Sequence, residues 1–598
     1  MPDIDRRTVL LAGGIAAAAT LAAVHARPAQ AEEAPPTADQ VGGPDPATPG
    51  LKIIKVSQLG FAKSDSTQFL QAALDSDADV IVIDKQASHW VTRPLFLRRG
   101  DVTIVLEQGA VVRALPGGFP STSNALLTVQ DVSNVTISGY GATMVMNKPE
   151  YVSGEWRHVL NLKTVTNVRV EGLVLRDSGG DGLYLGMSAP GEYSRDVVIR
   201  DVTCLNNRRN GLSVIAADGL LVDGCNIRQT SGTGPDAGID FEPNNATSVF
   251  KRVLVRDTVI EDNMIYSVVL ALGKLDATSA PIDITFERVL IGANNSQTPA
   301  LTFKGSADGD PGGTVTLRRC LVTKEHASGA AGSTDIGYLY GGTAPGHIFG
   351  TAMGVLGVFA KPADGTAIVL EDTVLWDRDN PYQYFPPITV SPMTLTFTGK
   401  SSSPVVTSTY GGIEFRDSAL VTDCENHFLT AANESAESPG LSGLAGRLVV
   451  VDRNPVSPDL GRRPSGNSLQ VAYDRSRSVP DVTVSADRTT ASLGDTVTVT
   501  VTRTTGRLDQ PVAVRYRVGG TVDGYAGVHQ PAVLGLDIAG LSGAVVIPVG
   551  QRSTTITIRS RVVAGRTGAR YLTLALQPGH GYDLAARSRD RIVEVVFQ

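Results

Sequence analysis

Four cysteines in 598 residues are too few for a disulfide scaffold, and the eight histidines are scattered with no zinc-ligand spacing. No metal site is therefore expected. Basic residues do not dominate either: 53 Lys and Arg stand against 60 Asp and Glu, a net charge of −7. That balance argues against nucleic acid or an anionic membrane surface as a partner. Beyond the N-terminal region no segment approaches ~18 uninterrupted apolar residues, the minimum for a membrane-spanning helix. Helix-pair patterning is missing as well, which excludes the helical repeat arrays. Glycine, by contrast, is abundant at 63 residues, and suits a chain with many tight corners.

The N-terminus has the form of an address. Arg6-Arg7-Thr8-Val9-Leu10 precedes an Ala-rich apolar run to Ala23, and Ala29-Gln30-Ala31 reads as a small-residue cleavage site. This pattern is a twin-arginine export signal, with an ordinary secretory signal as the alternative. Both predict loss of residues 1–31 and a protein that works outside the cytoplasm with no membrane attachment. Residues 32–50, rich in Pro, Ala and Gly, read as a flexible leader.

One phrase then recurs seven times: a polar or small residue, an apolar-x-apolar strand, a charge or glycine, and a bend. Its copies begin at Asn134, Asn167, Asp196, Gly219, Arg252, Asp283 and Thr314, at intervals of 33, 29, 23, 33, 31 and 31 residues. A period in this range marks a solenoid, and alternation of side chains marks strands rather than helices. Such a coil buries its apolar face only by stacking on its neighbours, which predicts a parallel β-helix over residues 51–455, with the helix-like stretch Thr67 to Leu74 plugging its first coil. Cys204 and Cys225 fall on inward positions of adjacent coils two residues out of register, so their α-carbons lie about 8 Å apart and they are expected as buried thiols. A polar linker, 456–480, leads to residues 481–598, where separate alternating strands predict a β-sandwich.

A second strand in each repeat aligns outward-facing columns. One is Asn161, Tyr184, Ser213, Asp240, Val269 and Thr302; the next is Lys163, Gly186, Ile215, Glu242, Ala271 and Lys304. A third, just ahead of them, holds His158, Asp181, Asn210, Ala237, Tyr266 and Pro299. Asp240 and Glu242 share a strand and a face, with α-carbons ~6.6 Å apart, and Asp181 lies two coils earlier. An outward carboxylate on a solenoid is ordinarily a solvated surface residue. Here, however, Asp240-Phe241-Glu242 places acids where other coils carry Ser, Ile, Val or Ala.

Paired carboxylates about 5–9 Å apart are what hydrolysis of a glycosidic bond needs, one to protonate the leaving oxygen and one to activate water or attack. Asp181, Asp240 and Glu242 are accordingly the expected catalytic residues. Glu155, Trp156, Arg157 and His158 border them from one side, and Arg208, Arg209 and Asn210 lie between them. Tyr184, Tyr266 and Lys304 complete the expected sugar-binding set, the arginines holding hydroxyls or carboxylates and the aromatics stacking on sugar faces. Gly179-Gly180-Asp181-Gly182 is not a phosphate loop, because no helix follows it.

Gly60-Phe-Ala-Lys-Ser-Asp-Ser-Thr-Gln-Phe-Leu-Gln-Ala-Ala-Leu-Asp, Pro94-Leu-Phe-Leu and Val102-Thr-Ile-Val-Leu-Glu-Gln-Gly-Ala-Val-Val together resemble the opening of pectin-lyase-like proteins. The resemblance implies a right-handed parallel β-helix and a polygalacturonase-type glycoside hydrolase or a polysaccharide lyase, and covers roughly residues 51–330. Asp181-Gly182 is similar to the end of the polygalacturonase Asn-Thr-Asp-Gly motif, but Gly179 and Gly180 replace its Asn and Thr. The paired aspartates of the next coil and the Gly-His-Gly and Arg-Ile-Lys motifs are not found, so a polysaccharide other than pectin is implied. Leu541 to Ile558 resembles Calx-beta-type sandwiches, without a residue-by-residue match to that family's calcium ligands.

The expected function is thus a secreted enzyme that cleaves a polysaccharide by hydrolysis or related glycosyl transfer, without a cofactor. One alternative is a lyase, in which Asp181, Asp240 and Glu242 bind Ca²⁺ and Arg208, Arg209 or Lys304 abstracts a proton. The other is a non-catalytic glycan-binding surface protein.

Overall fold

The computed structural model describes residues 34–37, 39–292, 300–305, 311–323, 356–359, 366–377, 389–390, 393–394, 406–408, 413–422, 429–430, 445–452, 468–474, 479–519, 530–563, 567–579 and 581–598. The export signal, Pro299 and most of the 456–480 linker lie outside them.

The seven repeated phrases are successive rungs of one parallel ladder, running from Ser133–Ser138 and Thr166–Glu171 through Ser194–Arg200, Ala217–Asp223, Phe250–Arg256 and Ile282–Glu287 to Gly313–Arg318. Val135, Val168, Val197, Leu220, Val253, Ile284 and Val315 align one above another, all buried. The phrase's polar first residue has a backbone cause. Asn134, Asn167, Asp196 and Gly219 sit at φ of 59°, 56°, 49° and 81°. So do the residues at its far end, including Gly172 at 71°, Asp201 at 54°, Gly224 at 64° and Asp257 at 49°. Asn, Asp and Gly tolerate this left-handed region best, which explains why they punctuate the repeat.

Short strands after each corner, such as Val174–Arg176, Thr203–Leu205 and Asn226–Arg228, form a second ladder. A third comprises Leu160–Lys163, Leu183–Gly186, Asn210–Val214, Ala237–Phe241, Tyr266–Ala271 and Leu301–Lys304, in the order of the coils. The inward side chains of all three fill one continuous core. The helix Thr67–Leu74 turns Leu70, Ala73 and Leu74 into its open end, as the apolar spacing predicts. Cys204 pairs in register with Ile227, two residues past Cys225. Both thiols are free and buried, and burial pushes them above the ordinary thiol range.

The C-terminal region folds into two packed sheets. Ser553–Arg559, Thr496–Arg503, Asp481–Ala486 and Asp583–Leu584 form one, and the other contains Ile592–Phe597, Arg570–Leu576, Val512–Gly519 and Ala544–Ile547. Its attachment differs from a module tethered by a polar linker. Leu290, Leu321, Val374, Trp376, Ala419 and Val449 of the coils share one apolar core with the sandwich. Arg561 pairs with Asp201, and Asp201 and Asp372 accept the N–H groups of Gly540 and Val549 at 2.8 and 3.1 Å. Part of the expected flexible leader is likewise pinned: Val41 packs on Val198 and Leu221, while Gly42 and Gly43 donate to Asn167 and Thr136. The outer face of the first ladder offers apolar and hydrogen-bonding partners that composition alone does not reveal.

Candidate functional site

The column alignment holds residue by residue. Asn161 pairs with Tyr184, Tyr184 with Ser213, Ser213 with Asp240, Asp240 with Val269 and Val269 with Thr302. Period-2 alternation then points Asp240 out of the coil while Ile239 and Phe241 enter the core. Burial is where the structure departs from expectation: Asp181 is 0% and Asp240 1% exposed. The loop before the coil of Asp181 explains part of this. Its Glu155 carbonyl comes so close to Gly180 that a Cβ there would stand 2.4 Å from it. Glycine at position 180 therefore lets this loop close over the third ladder.

Arg209 is the hub of the site. Its Nη2 donates to Glu242 Oε2 at 2.5 Å and its Nη1 to Ser213 Oγ at 3.3 Å. Nη1 also stands 3.5 Å from Asp181 Oδ2, and Nε 3.5 Å from Glu155 Oε2. Burial alone would lower the affinity of this guanidinium for its proton; Asp181 and Glu242 outweigh it and hold the group above its ordinary range. Asn210 ties the same coils together. Its backbone N–H donates to Asp181 Oδ1 at 3.1 Å, and its Nδ2 donates to Ser213 Oγ at 2.9 Å and Asp240 Oδ2 at 3.2 Å.

The carboxyls differ sharply in environment. Burial, and then the charge of Glu242, pushes Asp240 up to about 8 against the pull of Arg209. Its Oδ1 has no hydrogen-bond partner among the described residues. Glu242, two residues on, leaves 40% of its side chain exposed. Asp181 is raised to about 6, chiefly by burial. The Asp181 N–H donates to His158 Nδ1 at 3.0 Å, and that acceptor nitrogen stands 3.3 Å from Asp181 Oδ2. Burial, reinforced by Arg209, keeps His158 neutral, and the Tyr184 ring stacks on it at 4.6 Å.

Three expected site residues thus meet at Arg209, namely Glu155, Asp181 and Glu242, and His158 and Asn210 join them through Asp181. Asp240 joins through Asn210, and Tyr184 through His158. Trp156 is 52% exposed on the rim. Tyr266 and Lys304 make a pair of their own farther along the face, with Lys304 Nζ donating to Tyr266 Oη at 2.8 Å.

Two assignments are corrected. Arg157 does not face a sugar: its guanidinium is buried against the carbonyls of Phe119, Pro120 and Ser153. Arg208 is spent in the same way on the carbonyls of Gly154 and Val152. Both fasten the 152–154 loop, where irregular backbone leaves carbonyls without ladder partners. Ser213 and Asn244 were not anticipated; Ser213 accepts from both Arg209 and Asn210, and Asn244 bonds the Tyr184 hydroxyl. The position of Ser213 between Tyr184 and Asp240 in the outward column was the available signal.

A calcium ion would need oxygen ligands with uncompensated charge. Here Arg209 already stands among Asp181, Glu242 and Glu155, and among the described residues no cluster of His, Cys, Asp and Glu is arranged to hold a metal. The carboxylates do not fit that role.

No family model matches the chain. Two Bacillus subtilis (strain 168) proteins match part of it: the uncharacterized protein YclG, 26% identical over 157 residues, and the SPbeta prophage-derived uncharacterized protein YorA, 27% identical over 158. Each match covers 24% of this chain, and 26% and 27% of the two relatives, so the chain spans about a quarter of the length of the curated relatives it matches. Among solved structures it is similar to the catalytic domain of a GH87 alpha-1,3-glucanase in complex with tetrasaccharides, at 11% identity over 74% of this chain and 70% of that one, with a TM-score of 0.40. A capsular polysaccharide depolymerase, the tailspike protein gp49 of Acinetobacter baumannii bacteriophage Fri1, is similar at 12% identity, 92% and 86% coverage and a TM-score of 0.32.

Proposed function

We propose that the chain is a secreted carbohydrate-active enzyme that hydrolyses glycosidic bonds of a polysaccharide. The observation supporting this is the contrast between two carboxyls on one strand: Asp240 is buried and raised to about 8, while Glu242 is half-exposed and bound to Arg209. A sealed carboxyl that keeps its proton beside one that is open to water supplies the two halves of an acid and base pair. Asp240 donates its proton to the leaving glycosidic oxygen as the C–O bond breaks. Glu242 takes a proton from the attacking water, whose hydroxyl goes to the anomeric carbon, or attacks that carbon itself before water releases the sugar. Asp240 is nearly sealed, so the sugar must part the side chains above it, and half-exposed Glu242 has the room to move. Asp181, His158, Ser213 and Asn210 orient Arg209 and Asp240 rather than meet the sugar. Trp156 supplies an aromatic face at the rim.

The calcium-dependent lyase fits less well because Arg209 supplies the charge that the cation would bring. Export by the twin-arginine route is proposed on Arg6-Arg7 and the apolar run that follows. Incubation with a panel of polysaccharides, read by reducing ends and ultraviolet absorbance together, tests the assignment. Hydrolysis raises reducing ends without absorbance and is lost in Glu242→Gln. An absorbing unsaturated product would establish elimination instead, and binding without turnover would establish a glycan-binding protein.

A further inference from the structure

The corner residues of the coils form a second column, on the side where the sandwich docks. Asp201, Gly224, Asp257, Arg288 and Arg319 occupy it in successive coils, each at positive φ. The sandwich is fastened to this column at Asp201 and, farther on, at Asp372. Between the two fastenings lies a cleft of about 480 Å³, walled by the corners on one side and by the strand Ser553–Arg559 with its neighbours on the other.

Its charge runs opposite to that of the whole protein. Among the described residues five arginines line it, Arg200, Arg288, Arg319, Arg559 and Arg561, against three aspartates, in a chain of net charge −7. The three aspartates are all engaged. Asp201 is held by Arg561 and the Gly540 N–H, Asp223 by Arg256 at 2.9 Å, and Asp257 by both arms of Arg288 at 2.8 and 2.9 Å. Arg319 and Arg559 are exposed. Among the described residues neither guanidinium has a hydrogen-bonded carboxylate; Asp372, which feels the charge of Arg319, accepts the Val549 N–H. Thr555 and Thr557 line the same cleft from the strand that carries Arg559, four and two residues before it and hence on the same face.

Two uncommitted guanidiniums beside hydroxyl donors are a receptor for an oxyanion carried on a polyhydroxylated body. We propose that this cleft between coils and sandwich binds an acidic saccharide, through its carboxylate or sulfate, at a site separate from the carboxyl cluster on the third ladder. It holds the polymer and performs no chemistry. The proposal does not rest on hydrolysis at Asp240 and Glu242, and a purely glycan-binding protein would possess the same site.

The test is titration calorimetry on the whole protein at low and moderate salt, with polygalacturonate as the carboxylate probe, dextran sulfate as the sulfate probe and dextran as the neutral one. Acidic polymers bind, with an affinity that falls as salt rises, and dextran does not. Arg319→Ala and Arg559→Ala each weaken binding about tenfold or more, the usual scale for losing one charge-assisted contact. Arg552→Ala, in the bend that precedes the same strand and outside the cleft, does not. Glu242→Gln leaves binding intact, which separates this site from the proposed catalytic one. A preference between the two acidic probes identifies the anion. Unaltered binding in the Arg319/Arg559 double variant, equal affinity for dextran, or no binding of either acidic polymer overturns the proposal. Both arginines are exposed, and an unchanged melting temperature verifies that the variants fold.

Discussion

Arg209 and Glu242 meet at 2.5 Å across adjacent coils, Nη2 donating to Oε2, while Asp240, two residues before Glu242, has one carboxyl oxygen with no hydrogen-bond partner among the described residues. Glu242 touches Arg209 and is open to water. Asp240 is sealed, and burial first, then the nearby Glu242, holds its proton on against the pull of Arg209; its side-chain donor among the described residues is the neutral amide of Asn210.

Asp240→Asn and Glu242→Gln should each lower turnover at least about 10²-fold, the scale of a lost general acid or base. Melting temperature should hold or rise for Asp240→Asn, because a neutral amide replaces a carboxyl that the site strains to ionise. Steady-state kinetics with calorimetric melting checks both, and near-normal turnover in the pair would remove them from the mechanism.

The pH dependence follows from the same groups. Asp181 and Asp240 bind protons more tightly folded than unfolded, being raised from 3.8 to about 6 and about 8. The stabilisation they provide is complete below about pH 4 and is lost as pH rises through those values. Asp240→Asn should therefore flatten the decline in melting temperature between pH 6 and about 8 relative to wild type. The wild-type rate should fall above about pH 8 as the acid loses its proton. Parallel stability curves for the two proteins would show that Asp240 is not raised.

Arg209→Met tests the hub. Removing one partner of a buried ion pair leaves the other uncompensated and costs about 3–5 kcal/mol. Asp181 is sealed whereas Glu242 can reach water, so the loss should sit at the lower end and shrink in acid, where Asp181 is neutral. Denaturant melts at pH 5 and pH 8 measure it. An equal loss at both would mean that packing of the Arg209 stem, rather than its charge, is what matters.

The ladders were legible because a solenoid repeats its register: Asn134, Asn167 and Asp196 announce the bends, and the outward column through Asp240 follows from counting by two. Arg157 and Arg208 were misjudged because alternation tells which way a side chain leaves the coil, not what waits for it there. Carbonyls of an irregular loop consumed both guanidiniums. Asp181 likewise faces out of its coil yet is sealed, since the closure of that loop depends on Gly180, whose close approach to Glu155 has no periodic signature.

The same limit applies at the C-terminus, where a polar linker suggests that a chain ending near Ser478 stays soluble and active on short oligosaccharides. The docked sandwich leads to a different expectation. Removing it uncovers Trp376, Leu290, Leu321 and Val374, now buried in the shared core, and leaves Asp201 without Arg561. Re-exposing an apolar side chain of this size costs about 1.5–3 kcal/mol, so four amount to about 6–12 kcal/mol, comparable to the whole stability of a typical domain. The truncated chain should therefore aggregate or melt well below the whole protein, and Trp376→Ala in the full chain should show part of the same loss without removing any strand. Static light scattering and thermal melts of the two are the measurement. A soluble truncated chain with an unchanged melting temperature would mean that the coils stand alone and that the apolar interface contributes little.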